Sequence, residues 1–364
     1  PTGTAPASFA QKQLWYIEQV APTHGSYNIF DARRFDRALD LDAVERAVAA
    51  VIERHGALRT MFELKDDELF QTVREDVAFR LGVLDAGALD GDARKAWMDQ
   101  ATRACASHAF DLSSGLLLRM DAVARPQETV LLLCIHHIAA DGWSIDVFWR
   151  DFESEYAAIV EGASRRSAAD PLQYIDYAVW QRRQLDGGAW DASVGYWKTR
   201  LQGMPELHGL PTDHPRPELQ SFEGETYAWR LPESLRSRIV ALGARGNVSM
   251  FMLIHAAFSV LLARRAGSED VVVGTPAANR DRADTSDAIG FLANVVMLRT
   301  RVAPGMSFLS LLEAVKTAVM EAQEHQEIPF QYLVEALNPA RSTAYNPLVQ
   351  ILLTVQQDAG IPLA

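Results

Sequence analysis

Six apolar residues, Val130-Leu131-Leu132-Leu133-Cys134-Ile135, run directly into His136-His137-Ile138-Ala139-Ala140-Asp141-Gly142. A stretch with helical apolar spacing then starts at Trp143-Ser144. The apolar run reads as a buried strand. The helix predicted over 144–161 turns Ile145, Phe148, Trp149, Phe152 and Tyr156 inward, and Gly162 closes it. A chain with this segment must bury a strand and a helix and leave a polar turn between them. A histidine pair on that turn, with Asp-Gly just beyond, can place one imidazole in a cleft.

The rest of the chain has a similar alternating texture. Asp40 is positioned to cap a helix carrying Leu41, Val44, Val48, Val51 and Ile52 on one face, with Gly56 as its end. Strands are predicted near 58–63, 68–73, 116–123 and 129–135. The stretch from about 163 to 222 holds Pro171, Pro205, Pro211, Pro215 and Pro217 and reads as an extended connector. The domain boundary is expected at 165–180, giving an N-terminal lobe over 1–170 and a C-terminal lobe over 171–364. In the second block, 226–231 reads as a strand and Ser249 caps an apolar helix over 250–265. Val271 to Val273 and Val295 to Val302 read as strands. Ser307 opens a helix to about 323, and Leu348 to Val355 reads as a last strand. The fold class is therefore α/β, with helices over a mixed sheet in each half.

Bulk properties exclude several classes. With 364 residues there is material for two domains with real cores. A net charge of −12 argues against a general nucleic-acid binder, which needs clustered Lys and Arg. No apolar stretch is long enough to span a membrane, so a cytoplasmic enzyme is expected. The two cysteines, Cys105 and Cys134, give neither a disulfide framework nor zinc spacing. Pro1 as first residue predicts that the chain is part of a longer one.

A neutral histidine, with an ordinary pKa of about 6.5, can take a proton from an attacking nucleophile at pH 7. The acceptor carbonyl then needs a donor for its developing charge. Gly142, lacking a Cβ, lets a backbone N–H come close to a substrate. Asp141 either orients a histidine or pairs with an arginine and shapes the loop. No serine or cysteine nucleophile is evident, which favours direct transfer over a covalent intermediate. No metal site is expected, because adjacent histidines of an extended chain point to opposite sides. His137 is the catalytic candidate. His136 is a weaker one, with a buried ring bonded to backbone as its alternative.

These residues resemble the condensation domains of non-ribosomal peptide synthetases. The resemblance extends through seven segments in order. They are Ser8 to Trp15; Arg54 to Phe62, with Gly56 where Glu is usual; His136 to Ser144; Tyr174 to Trp180; Ile289 to Asn294, with Leu292-Ala293 for the commoner Phe-Val; His325 to Phe330; and Arg341 to Leu348. The resemblance implies two lobes related to chloramphenicol acetyltransferase, arranged as a V-shaped pseudo-dimer. It implies that an aminoacyl amine on one carrier protein attacks an acyl or peptidyl thioester on another. Both substrates ride on phosphopantetheine arms, and the domain binds no cofactor of its own. Donor and acceptor peptidyl carrier proteins and a neighbouring adenylation domain are the implied partners.

The resemblance also implies roles for residues. His137, with His136 and Gly142, would be catalytic. Asp141 would pair with Arg59 or Arg280 to hold the site's structure. Trp143, Ser144 and Asn294 are candidates for the substrate tunnel, although a helix-packing or turn role suits Trp143 and Asn294 as well. Trp15, Tyr174, Tyr177 and Trp180 are expected in packing. The family's second lobe usually continues past the last motif, so this lobe is expected to be incomplete after Gly360-Ile361-Pro362. The segment Leu333 to Ser342 leans toward a donor ending in a D-residue. Starter and dual epimerisation/condensation subtypes stay open, as does a catalytically silent domain that recruits carriers.

Overall fold

Local rules place the segment around the histidines. In the computed structural model, which describes residues 3–20, 25–87, 89–163, 170–221, 224–340 and 342–356, Asp141 caps a twenty-residue helix. Its side chain accepts the Ser144 N–H, and Ser144 reaches back to the Asp141 N–H, closing a capping box. The helix ends at Gly162 in the left-handed region (φ 64°), where a side chain would be strained.

Two compact units make up the chain: Pro1–Ala189 with Arg280–Ala293, and Trp190–Asn279 with Asn294–Ala364. The expected boundary at 170/171 is thus displaced, and a short segment from the second half of the sequence belongs to the first unit. The first unit contains β1 (Gly3–Pro6), α1 (Phe9–Val20), β2 (Asn28–Phe35), α2 (Leu41–Arg54), β3 (Thr60–Lys65), β4 (Glu68–Val73), β5 (Gly82–Leu84), α3 (Gly91–Ala106), β6 (Leu118–Arg125), β7 (Glu128–His136), α4 (Gly142–Glu161) and α5 (Tyr174–Asp186). One sheet has the order β1-β4-β3; the other is β2-β7-β6-β5, antiparallel except for the parallel pair β5 and β6. The boundary moved because α5 packs on β1 and on the 3-10 turn Gly56–Arg59, both in this unit.

Strand β7 lies between β2 and β6, which explains its unbroken apolar run: residues 131–135 are fully buried. Helices α2 and α4 pack together over the same core through Val44, Val48, Val51, Phe148, Trp149 and Phe152. Asp40 caps α2 by accepting the Asp42 and Ala43 N–H groups. The helix ends at His55 and not at Gly56. Gly56 starts the 3-10 turn and donates its N–H to Gln173 Oε1 (2.9 Å). A Cβ on Gly56 would lie 3.0 Å from Val73, so close packing explains the glycine.

The second unit holds α6 (Asp191–Leu201), α7 (Glu233–Gly246), α8 (Met250–Ala266), β8 (Asp270–Ala277), β9 (Asn294–Arg301), α9 (Phe308–Glu324) and α10 (Phe330–Leu337). Strands β8 and β9 form an antiparallel pair, and α9 packs on β9 and α8. Three expectations fail here. The presumed connector carries α5 and α6. Residues 226–231 form no strand: Tyr227 is 91% exposed and Trp229 71%, and no neighbour supplies ladder hydrogen bonds among the described residues. Residues 348–355 contribute one parallel bridge, Leu352 to Gly274, and no strand. Arg341 and residues 360–362 lie outside the described residues.

Candidate active site

His137 follows the last residue of β7. Its N–H donates to the Tyr27 carbonyl (2.8 Å), which carries the sheet ladder one residue past the strand. The chain then turns: the Ala139 N–H donates to the His136 carbonyl (2.9 Å) and the Ile138 N–H to His136 Nδ1 (3.1 Å). His136 is 3% exposed, and its Nε2 lies 3.6 Å from Glu18. Its ring therefore supports the turn from within and does not face open space. Counting it with the catalytic residues is corrected by this geometry. Two side chains on opposite faces of one strand end meet different surroundings, and here only His137 is half-buried.

The His137 ring packs against Phe291, with centroids 4.4 Å apart at an angle of 52°. Its Nδ1 is buried without a hydrogen-bond partner among the described residues. Burial holds its pKa below the ordinary histidine value; the nearby carbonyls of residues 137 and 140 and the Asp141 carboxylate oppose that shift in part. The imidazole is accordingly neutral at pH 7. Gly142 occupies the first position of α4, where an N–H has no acceptor within the helix. A methyl group at this glycine would meet no described atom within 4 Å. An open space, an N–H with no acceptor among the described residues and the positive end of a helix thus coincide beside the turn.

Asp141 is 1% exposed, and its carboxylate accepts its hydrogen bonds from groups other than a histidine ring among the described residues. Its Oδ1 accepts from the Ser144 N–H (2.9 Å), the Ser144 hydroxyl (2.7 Å) and Arg280 Nη2 (2.9 Å). Its Oδ2 accepts from the Leu292 and Ala293 N–H groups (3.1 and 3.0 Å). Arg280 also donates to the carbonyls of Thr285 and Ala288. Both charged side chains are 2% exposed. This ion pair therefore fastens the segment Arg280–Ala293 to the start of α4.

Arg59, the other arginine considered for Asp141, lies elsewhere. It donates to the carbonyls of Ile52 and Glu53, closing the C-terminal end of α2, and to the Arg74 carbonyl. The tunnel candidates also change. Ser144 is fully buried and its hydroxyl is shared between Asp141 and the backbone of Gly290. Asn294, in the second unit, donates to the carbonyls of Gln326 and Ile328 and accepts the Phe330 N–H, so its amide shapes the 325–330 loop. Trp143 is 47% exposed and donates to the Ser286 carbonyl, with Arg280 5.8 Å over its ring; it is neither core nor enclosed.

Sequence reasoning missed Phe291 and Tyr174 as neighbours of this site. The Tyr174 hydroxyl donates to the Phe291 carbonyl (2.8 Å), and its ring fills the space beside Gly290, where a Cβ would be 2.1 Å away. Both residues lie in segments singled out for resemblance, yet no spacing could show that they meet. No group of three or more His, Cys, Asp or Glu able to hold a metal occurs among the described residues.

The Condensation domain family matches residues 2–360. The chain is 39% identical over 352 residues to a linear gramicidin synthase polypeptide of Brevibacillus parabrevis, covering 96% of this chain and 4% of that protein. It is 38% identical over 358 residues to phosphinothricin tripeptide synthetase PhsC of Streptomyces viridochromogenes, covering 97% of this chain and 33% of that protein. It spans a third or less of both relatives. Among solved structures, the X-domain from teicoplanin biosynthesis in complex with OxyB superposes with a TM-score of 0.89 at 29% identity, over all of this chain and 79% of that one. The four-domain nonribosomal peptide synthetase holo-AB3403 gives 0.85 at 25% identity, over 96% and 26%. The chain belongs to the condensation-domain family of non-ribosomal peptide synthetases.

Proposed function

We propose that this domain forms an amide bond between two carrier-bound substrates, and that His137 is the residue at the reacting centre. The observation that carries the reading is a neutral, half-buried imidazole beside an open space at the N-terminus of α4. The amine nitrogen of an aminoacyl thioester attacks the carbonyl carbon of the donor thioester. A C–N bond forms, the C–S bond breaks, and the proton lost by the amine ends on the departing thiol. An α-amine, with a pKa of about 8, is mostly protonated at pH 7, so a neutral imidazole that accepts or orients its proton helps the attack. The thioester is already activated, which leaves positioning of the two tethered chains as the larger contribution. The Gly142 N–H is the candidate donor to a substrate carbonyl. Asp141 and Arg280 take no part in the chemistry and hold the site together.

Substrates arrive on phosphopantetheine arms of donor and acceptor carrier proteins, beside an adenylation domain in the cytoplasm, and the domain contributes no cofactor. A donor ending in a D-residue is the finer reading from Leu333 to Ser342. Recruitment without chemistry is the second reading, favoured by the likeness to an X-domain solved with OxyB.

Mass spectrometry of intact carriers tests both. With a loaded donor and a loaded acceptor, chain growth on the acceptor is expected. In His137→Ala it should fall by about 10²- to 10⁴-fold while the melting temperature holds. Growth unaffected by the substitution refutes the role of His137. An absence of growth with donors of either stereochemistry favours recruitment.

A further inference from the structure

The backbone at and on both sides of Phe291 is bonded to buried side chains. On its N-terminal side, the Gly290 N–H and carbonyl both engage the buried Ser144 hydroxyl (3.2 and 3.0 Å). Its own carbonyl accepts from Tyr174, itself 2% exposed. On its C-terminal side, Leu292 and Ala293 donate to the buried Asp141 carboxylate. Five hydrogen bonds from three enclosed side chains thus fix four consecutive residues. Within this stretch Phe291 meets the histidine turn: its ring lies 4.4 Å from that of His137.

We propose that Phe291 is the positioning residue of His137, its ring fixing the imidazole rotamer and keeping water from that face. The proposal rests on the reading of His137 above, and it gives the Asp141 clamp a purpose: the carboxylate sets Phe291, and Phe291 sets the imidazole. It also accounts for a buried Nδ1 with no hydrogen-bond partner among the described residues, because an aromatic ring covers the imidazole without offering a hydrogen bond. The charged and titratable groups near His137 among the described residues include Asp141, paired with Arg280; His136, with Glu18 beside it; and Tyr27, whose carbonyl holds the His137 N–H. Phe291 itself is uncharged, so replacing it changes solvation and geometry without changing local charge.

The test is nitrogen-15 NMR titration of histidine-labelled full-length domain, with the His137 signal identified by its loss in His137→Ala. In Phe291→Ala, His137 should titrate about half a pH unit or more above wild type, because water regains that face. Phe291→Tyr, which keeps the ring, should titrate as wild type. Phe291→Leu keeps apolar bulk for folding and should give an intermediate value. In the carrier assay, Phe291→Ala should lower kcat about tenfold with KM changed less than about twofold, and Phe291→Tyr should restore it. A His137 titration identical in wild type, Phe291→Leu and Phe291→Ala overturns the proposal. A shifted titration combined with undiminished turnover in His137→Ala upholds the Phe291 contact and removes the catalytic reading instead.

Discussion

Replacing Asp141 by alanine removes one member of an ion pair whose side chains are both 2% exposed. The loss has three parts. The Arg280 guanidinium keeps two carbonyl acceptors and loses its counter-charge, while its Nε already lacks a partner among the described residues. The Leu292 and Ala293 N–H groups lose their acceptor, at about 1–3 kcal/mol for each that stays unsatisfied. The cap of α4 disappears, at about 1 kcal/mol. Water will enter and relieve part of this, so a total of about 3–5 kcal/mol is expected, the usual range for breaking a buried pair. For a cooperative unit of roughly 200 residues, each kcal/mol lowers the melting temperature by about 2–4 °C, so a fall of about 6–20 °C should appear in thermal unfolding followed by circular dichroism. The double variant Asp141→Ala/Arg280→Ala should lose less than the sum of the two single variants, because it leaves no charge stranded. A melting temperature for Asp141→Ala within about 2 °C of wild type would show that the pair does not hold the site together.

Gly142→Ala should separate stability from activity. No described atom lies within 4 Å of the added methyl, so the melting temperature should stay level or rise slightly; turnover should drop several-fold if substrate uses that space, and full turnover rejects the assignment. Acid should destabilise the second unit through His255. That residue is fully enclosed, bonded through Nε2 to Thr300 (3.0 Å), and burial pushes its pKa down to about 4. The unfolded chain therefore takes up a proton near pH 6.5 that the folded chain refuses. Stability from this group is intact above pH 6.5 and falls progressively toward pH 4, by on the order of 3 kcal/mol. Urea midpoints at pH 7 and pH 4.5 should converge in His255→Gln relative to wild type, and equal acid sensitivity in both would contradict the assignment.

Elements in which two independent signals coincided were legible in the sequence. Helices α8 and α9 each pair a residue at their start, Ser249 or Ser307, with a long apolar run, and α4 pairs its apolar spacing with Gly162 at its end; their ends fall within a few residues of expectation, although the cap at Asp141 was not foreseen. β7 was legible because its neighbours on both sides demand an apolar run. β2 was not, because it carries Asp31, Arg33 and Arg34. The structure buries part of that charge by pairing: Asp31 accepts from the Trp149 indole (2.6 Å), while Arg33 meets Glu153 (2.7 Å) and lies over the Trp149 ring. α3 escaped because only Cys105 along its length is buried, too little for a periodic signal. The strand expected at 226–231 has the right alternation, yet alternation makes a strand only where another strand offers its backbone.

The site divides along the same line. Residues adjacent in sequence, the His136 to Ser144 turn, were identified together because the chain itself holds them together. The partners that give the turn its properties come from afar: Arg280 and Phe291 lie about 140 to 150 positions away from Asp141 and His137. Arg59 was as reasonable a partner for Asp141 as Arg280 while only residue type was known, since both are arginines near predicted element ends. What separates them is a local need. Arg59 sits within reach of the last carbonyls of α2, which have no donor inside the helix and attract a cation. Arg280 lies just before the 3-10 turn Ala283–Thr285; its Nη1 donates to the Thr285 and Ala288 carbonyls, and its Nη2 reaches Asp141. What differs is that Arg59 directs Nε, Nη1 and Nη2 to backbone carbonyls, whereas Arg280 directs Nη1 to them and gives Nη2 to Asp141. That is also why Arg59→Ala should cost stability at the end of α2 and leave the His137 titration where it is, whereas Arg280→Ala should release the 290–293 clamp and move it.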